Sequence, residues 1–474
     1  MSHLTTKAQG KTVLTDSQTG WQWLLADWLL YQNQWREHYA IGWDTHSGLI
    51  QAICPISQLP SQLVDCHAEN TSSVRLISPG FINTHTHLSL ISPEDDNALN
   101  EPGNQVSGKD SFVNWLLAAA RMTRQANRPS VAERISQSLK PMLASGVTCI
   151  NDIASIQECS QVLAHLKASG LRATVNVEFF HPFDPMQPEL IDAVAEKMQT
   201  LLADWQAHRL LDVGLSPHAP YNVHPEAWRR LRLRFPDLLL HAHFAESSEE
   251  LTWLQQDQNP FEPLHQKLLN HVFWPHAALR AVADYQANAA NALIDWLLRN
   301  SLLSKKTVLA HGSFISAEAA LYLQERLQAS EVPLKVGISH CPQSNLALHG
   351  KTLDVRAWQN LGVTLPIALG TDSALSNKDL DLRAEARLAM NLHDWSAQEA
   401  LMALTVQGAR LMGQDSLLGE LDIGKAADCC LWQSPFKEWP EGSFVPAEAV
   451  LSIKTHLVAS FVAGHPIFQP SFKK

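Results

Sequence analysis

The chain has 474 residues, 45% of them apolar and 18% charged, a composition that fits a globular protein with a large core and excludes a disordered one. Its 36 Lys and Arg against 47 Asp and Glu give a net charge of -11, which speaks against nucleic-acid and acidic-membrane partners. No run of about 18 apolar residues occurs, so no transmembrane helix is expected, and the opening MSHLTTKAQGKTVLTDSQTG lacks the apolar stretch of a signal peptide.

Residues 1–75 hold short strand-like runs such as Leu49 to Ile53. Eight β-rich apolar runs follow: Leu76 to His87, Val147 to Ala154, Ala173 to Phe180, Leu211 to His218, Leu238 to Glu246, Thr307 to His311, Leu334 to His340, and Val363 to Asp372. Stretches of helical period alternate with them, among them Ser111 to Arg124, Pro188 to Ala207 and Ala317 to Ala329. This alternation predicts an α/β fold, a (β/α)8 TIM-like barrel over residues 76–414. Beyond it, the turn-rich Gly419 to Asp428 leads into further strands such as Val450 to Val462. Residues 1–75 and 415–474 are expected to meet in one small β-sandwich domain. The connection after the fifth run is long, and its segment 257–290 reads either as a lid over the pocket or as an extra packed helix pair.

Seven cysteines without a CxxC pair read as reduced thiols of a cytoplasmic protein, whereas 22 histidines raise the question of convergence. His85-Thr86-His87 closes the first run, and alternation along a strand sends both imidazoles to one side. The fourth run ends at His218, the fifth at His243 with Glu246 three residues on, and the sixth at His311. The seventh ends at His340 before Cys341-Pro342-Gln343-Ser344-Asn345, and the eighth at Asp372. Active sites of such barrels lie at the C-terminal ends of the strands. Taken singly, each is better explained as a capping Asp or a satisfied surface histidine; together, at one mouth, they predict a metal site for zinc or iron(II). His241, one layer deeper than His243, reads as a packed, hydrogen-bonded core histidine.

Five ordered motifs, PGFINTHTHL, HFAES, VLAHG, SHCPQSN and ALGTDS, resemble the amidohydrolase superfamily, and Thr405 to Arg410 and GELDIGKAAD extend the likeness. The branch it resembles is that of the mononuclear aminohydrolases, which includes guanine, adenosine-type and aminofutalosine deaminases and triazine hydrolases. The resemblance implies His85, His87, His243 and Asp372 as ligands of one divalent metal, zinc first and iron(II) second. It implies Glu246 as general acid/base, His311 as partner of the activated water, and Asp372 as an aid to the departing amine. His218, His340 and Asn345 match positions that contact substrate. Trp115, on the helix after the first strand, reads as core packing or as a substrate-stacking platform. The fourth strand ends without the lysine that binuclear members carboxylate, which favours one metal.

The function expected is hydrolysis of non-peptide C–N bonds, as deamination of an amino-substituted N-heterocycle with release of ammonia. Hydrolysis of a cyclic amide or a chloro-heterocycle is the enzymatic alternative. A catalytically silent binding protein on the same fold is a further one. The partner expected is therefore a small heterocyclic molecule, with no nucleic acid and no membrane. A homodimer is the commonest assembly open to such a chain.

Overall fold

The computed structural model describes residues 13–16, 18–64, 73–91, 112–124, 128–180, 189–205, 208–255, 259–264, 291–435 and 444–469. Its strands open with β1 (Leu14–Thr15), β2 (Gln22–Tyr31), β3 (Gln34–Trp43), β4 (Ile50–Pro55) and β5 (Ser73–Pro79). Then come β6 (Phe81–Thr86), β7 (Val147–Ser155), β8 (Arg172–Phe179), β9 (Leu211–Pro217), β10 (Leu240–Phe244), β11 (Lys306–His311), β12 (Lys335–His340) and β13 (Ile367–Leu369). The last three are β14 (Cys429–Pro435), β15 (His456–Val462) and β16 (His465–Phe468).

Strands β6 to β13 pair in chain order, all parallel. A parallel bridge from Thr86 to Asp372 joins the last strand to the first, and the Thr371 and Asp372 amides both donate to His85 O at 3.0 Å. The result is the expected (β/α)8 barrel. Its strands are buried along nearly their whole length because helices cover the sheet outside and side chains fill it inside. Helices form at Phe112–Met122, Glu189–Trp205 and Ala317–Gln328, near the predicted bounds. The last starts where the Ser316 side chain accepts the Ala319 amide.

The other strands form a mixed sheet in the order β16-β15-β14-β5-β2-β3-β4, with β1 on β2, so both ends of the chain build the second, β-sandwich unit. Alternation puts Trp23 and Leu25 of β2 in one buried cluster and Leu24 and Ala26 in another, which buries this sheet on both faces.

Three runs differ from their sequence reading. Leu76 to His87 is two strands, β5 and β6, in different sheets. The chain crosses between them at Gly80, where an added Cβ would meet Thr148 Oγ1 at 2.0 Å. Val450 to Val462 begins inside the helix Pro446–Leu451, which Pro446 starts, and only β15 is strand. Of Val363 to Asp372, only Ile367–Leu369 is regular, because Pro366 lacks a ladder N–H and Asp372 turns left-handed at φ 58°.

The two sheets are clasped by polar groups as well as packing. Arg172, at the start of β8, donates from Nε and Nη2 to Asp428 at 2.8 and 3.1 Å. Trp432 stacks on Phe81 with centroids 5.4 Å apart, and its Nε1 donates to Ser78 Oγ at 2.8 Å.

Candidate active site

The strand ends bring most of the expected residues together. His85 and His87 project from the end of β6, His243 from β10 and Asp372 from just beyond β13. His87 Nε2 and His243 Nε2 lie 3.1 Å apart, and Asp372 Oδ1 lies 3.7 Å from both His85 Nε2 and His87 Nε2. His243, Asp372 and His85 are held in place from behind. His243 Nδ1 donates to His218 O at 3.0 Å, which leaves its Nε2 lone pair free. Asp372 Oδ2 accepts the hydroxyls of Ser344 at 2.6 Å and Ser376 at 2.8 Å, so Oδ1 is the oxygen that faces the histidines. His85 Nδ1 meets His241 Nε2 at 3.0 Å, while His85 Nε2 is buried with no hydrogen-bond partner among the described residues.

These residues fit a cation. Two nitrogens on a tetrahedral zinc with bonds of about 2.05 Å stand about 3.3 Å apart, close to the 3.1 Å seen between His87 and His243. Burial lowers the pKa of His85, of His87 and of His243, the last to about 3, so the rings are neutral, as ligands must be. Burial opposes charge on Asp372, yet the His85, His311 and His87 rings around it hold its carboxyl well below the usual carboxylate range. An unpartnered buried nitrogen beside an ionised carboxylate is the donor set a divalent ion completes.

Glu246 lies two residues past β10, beyond a left-handed Ala245 at φ 49°. Glu250 secures that turn, its buried carboxyl accepting the Ala245 amide at 3.0 Å and the Glu246 amide at 3.1 Å. The Glu246 carboxylate then stands between two imidazoles, with Oε2 3.9 Å from His311 Nε2 and Oε1 3.4 Å from His349 Nε2. Burial raises its pKa, and His311 and His349 more than offset this, for a net lowering. His311 is itself left-handed, at φ 70°, and its Nδ1 donates to Asn345 Oδ1 at 2.8 Å. Such backbone strain, on the order of 1–3 kcal/mol per residue, clusters at functional sites.

The remaining expected residues take other places. His218 faces the mouth, with Nε2 3.9 Å from Glu178 Oε1, and Asn222 Nδ2 lies 2.8 Å from its Nδ1. Asn345 orients His311. His340 pairs through Nε2 with His393 Nε2 at 3.0 Å and with Thr352 Oγ1 at 3.3 Å, toward the helix Leu382–His393. Gln343 binds Glu385 and Asp379. Trp115 is half-buried and stacks on Phe112 at 5.8 Å, and Phe112 in turn meets the His349 ring at 4.9 Å. His241 is the hydrogen-bonded core residue expected, with Asn151 Nδ2 3.0 Å from its Nδ1. Segment 257–290 lies outside the described residues except 259–264, where buried Phe261 stacks on Tyr221 at 3.8 Å.

Sequence reasoning missed three carboxyl and imidazole groups here: Glu178, Glu250 and His349. Glu178 is buried at the end of β8, its Oε1 without a hydrogen-bond partner among the described residues, and burial with the nearby Asp152 and Asp372 charges raises its pKa to about 8. One oxygen of Glu178 groups with a nitrogen each of His218 and His243 within 4.8 Å. The signal was available, since Glu178 ends the third barrel strand as the histidines end theirs.

The chain is similar to known proteins along most of its length. A model of the amidohydrolase family matches residues 76–447. The 5-methylthioadenosine/S-adenosylhomocysteine deaminase 1 of Archaeoglobus fulgidus is 25% identical over 391 residues, covering 79% of this chain and 78% of its own. Aminofutalosine deaminase of Helicobacter pylori, solved with methylthio-coformycin, superposes with a TM-score of 0.69 at 24% identity, over 94% of this chain and 100% of that one. A zinc-bound adenosine deaminase from Xanthomonas campestris gives 0.69 at 22% identity, over 94% and 92%. On the family match across most of its length, the chain belongs to the amidohydrolase family.

Proposed function

We propose that the chain is a metal-dependent hydrolase of non-peptide C–N bonds that deaminates an amino-substituted N-heterocycle, releasing ammonia. The convergence of three neutral imidazoles and one ionised carboxylate beside Glu246 carries the reading. The names of the relatives, which are deaminases of small heterocyclic molecules, support it. His85, His87, His243 and Asp372 would hold one divalent ion, zinc in the first instance and iron(II) in the second. Such an ion supplies Lewis-acid polarisation and a water nucleophile at neutral pH.

The chain's own groups divide the proton work. Glu246 takes a proton from the attacking water and delivers it to the ring nitrogen next to the carbon under attack. His311, with Nδ1 committed to Asn345, turns Nε2 toward Glu246 Oε2 and toward the water. A C–O bond forms, and the C–N bond to the exocyclic amine breaks. The second proton of the water passes through the Glu246 and Asp372 side to the amine, which leaves as ammonia. His218 and Glu178 group with His243, which supports a role for both in contacting the ring. We further read the two sheets as two domains, residues 1–75 with 415–474 and residues 76–414, and place the protein in the cytoplasm. All six described cysteines are free thiols, five of them buried, in keeping with that compartment.

A screen for ammonia release over amino-substituted purines, pterins, nucleosides and triazines tests the activity. Metal analysis should return close to one zinc or iron per chain. Glu246→Gln should retain the metal and lose turnover. Two tightly held metals, or a fully active Glu246→Gln, would overturn the assignment of the site.

A further inference from the structure

Strand β12 leads into the helix Pro342–His349, and three side chains of this one helix support the site from behind. Ser344 donates to Asp372 and Asn345 accepts from His311, while His349, one turn past Asn345, reaches Glu246. Residues four apart share a helix face, so the spacing of Asn345 and His349 brings two supports to the same side of the barrel mouth. His349 Nε2 lies 3.4 Å from Glu246 Oε1, and its side chain is only 4% exposed. Two aromatic edges wall the ring. Phe112 stands 4.9 Å away at 61° and Phe314 stands 6.1 Å away at 86°. Phe112 is fixed in turn by its amide, which donates to Glu249 Oε1 at 2.9 Å.

The two oxygens of Glu246 thereby face different rings. Oε2 faces His311, whereas Oε1 faces His349. A carboxylate on a short loop has free rotation about its last bond unless one oxygen is tied. We propose that His349 is a positioning residue for Glu246: its Nε2–H ties Oε1 and leaves Oε2 as the oxygen that exchanges protons during deamination. The inference rests on the reading of Glu246 as the general acid/base. It gives this chain a support on the Glu246 oxygen that does not face His311, supplied by a histidine that nothing in the motif pattern marks.

The test uses the metal-loaded full chain and the amino-heterocycle on which the wild type releases ammonia fastest. His349→Leu should lower kcat by about 10- to 100-fold, the usual cost of removing a group that orients an active-site ligand or base. KM and metal content should stay unchanged. His349→Gln, which keeps an N–H donor, should recover most of kcat. A substrate-free measurement runs beside it: in 15N-histidine NMR spectra one Nε2–H resonance should vanish in His349→Gln and shift in Glu246→Gln. Unchanged kcat in His349→Leu, a change in KM alone, no rescue by Gln, or a His349 resonance indifferent to Glu246→Gln each overturns the proposal. If Glu246→Gln is inactive while His349→Leu is not, only the role of His349 fails. A fully active Glu246→Gln removes both.

Discussion

The clasp between Arg172 and Asp428 offers a quantitative test of how the two sheets hold together. Both side chains are buried, each 6% exposed. Asp428 accepts three N–H groups: Arg172 Nε at 2.8 Å, Arg172 Nη2 at 3.1 Å and the Ala463 amide at 2.7 Å. Asp428→Ala leaves a buried guanidinium without its counter-charge and a backbone amide without its acceptor. Removing one partner of a buried ion pair costs about 3–5 kcal/mol, most of it from the charge left behind. The gross strength of the pair is not the relevant figure, because desolvation already offsets most of it. Replacing both partners, with Arg172→Met and Asp428→Leu together, should therefore recover much of the loss. The assay is urea unfolding followed by tryptophan fluorescence, read at the first transition since a chain with two sheets need not unfold in one step. Metal content and activity at the distant barrel mouth should survive. A loss below about 1 kcal/mol for Asp428→Ala, or a double variant as weak as the sum of the singles, would refute the reasoning.

Two further outcomes follow from the support of the site. Removing both hydroxyls on Asp372 Oδ2, with Ser344→Ala and Ser376→Ala, should free the carboxylate to rotate and weaken metal retention about 10- to 100-fold in a chelator competition; unchanged retention would mean that the hydroxyls orient nothing. Glu250 gives a pH-dependent stability. Burial raises its pKa from 4.5 to about 8, against the downward pull of the Ala245 and Glu246 amides. The stability its protonated form contributes is fully present below 4.5 and lost as pH rises through about 8. Melting curves from pH 5 to 9 should thus show the wild type's advantage over Glu250→Gln shrinking as pH rises; a constant or growing gap would contradict the assignment.

Much of the site was legible because barrel strands put their chemistry at one end and side chains alternate. Those two facts brought His85, His87, His243 and Asp372 to one mouth, while the selection of these four as ligands, and of Glu246 as acid/base, came from the resemblance to the family. What stayed hidden depends on contacts between residues far apart in the chain. His349 matters only because the helix after β12 returns over the mouth, and Glu250 only because it folds back on the Ala245 turn. His340 ends its strand as His311 does, yet its ring pairs with His393 on the covering helix, a direction that strand position cannot supply. In the fold, the continuous run Leu76 to His87 concealed a change of sheet, because Ser78-Pro79-Gly80 reads as a strand interruption only once Thr148 is known to crowd Gly80.

The bridge from Thr86 to Asp372 also has a kinetic side. Thr86 Oγ1 donates to Asp372 O across 286 residues of sequence, and the carboxylate of Asp372 belongs with histidines on the opposite edge of the same seam. Closing a loop of that length is entropically slow relative to pairing neighbouring strands. Pairing of the strands between Thr86 and Asp372 shortens that loop, which favours late closure of the barrel. In chain order the carboxylate of Asp372 is the last of the clustered groups to be made, and it meets His85 and His87 only where the barrel closes.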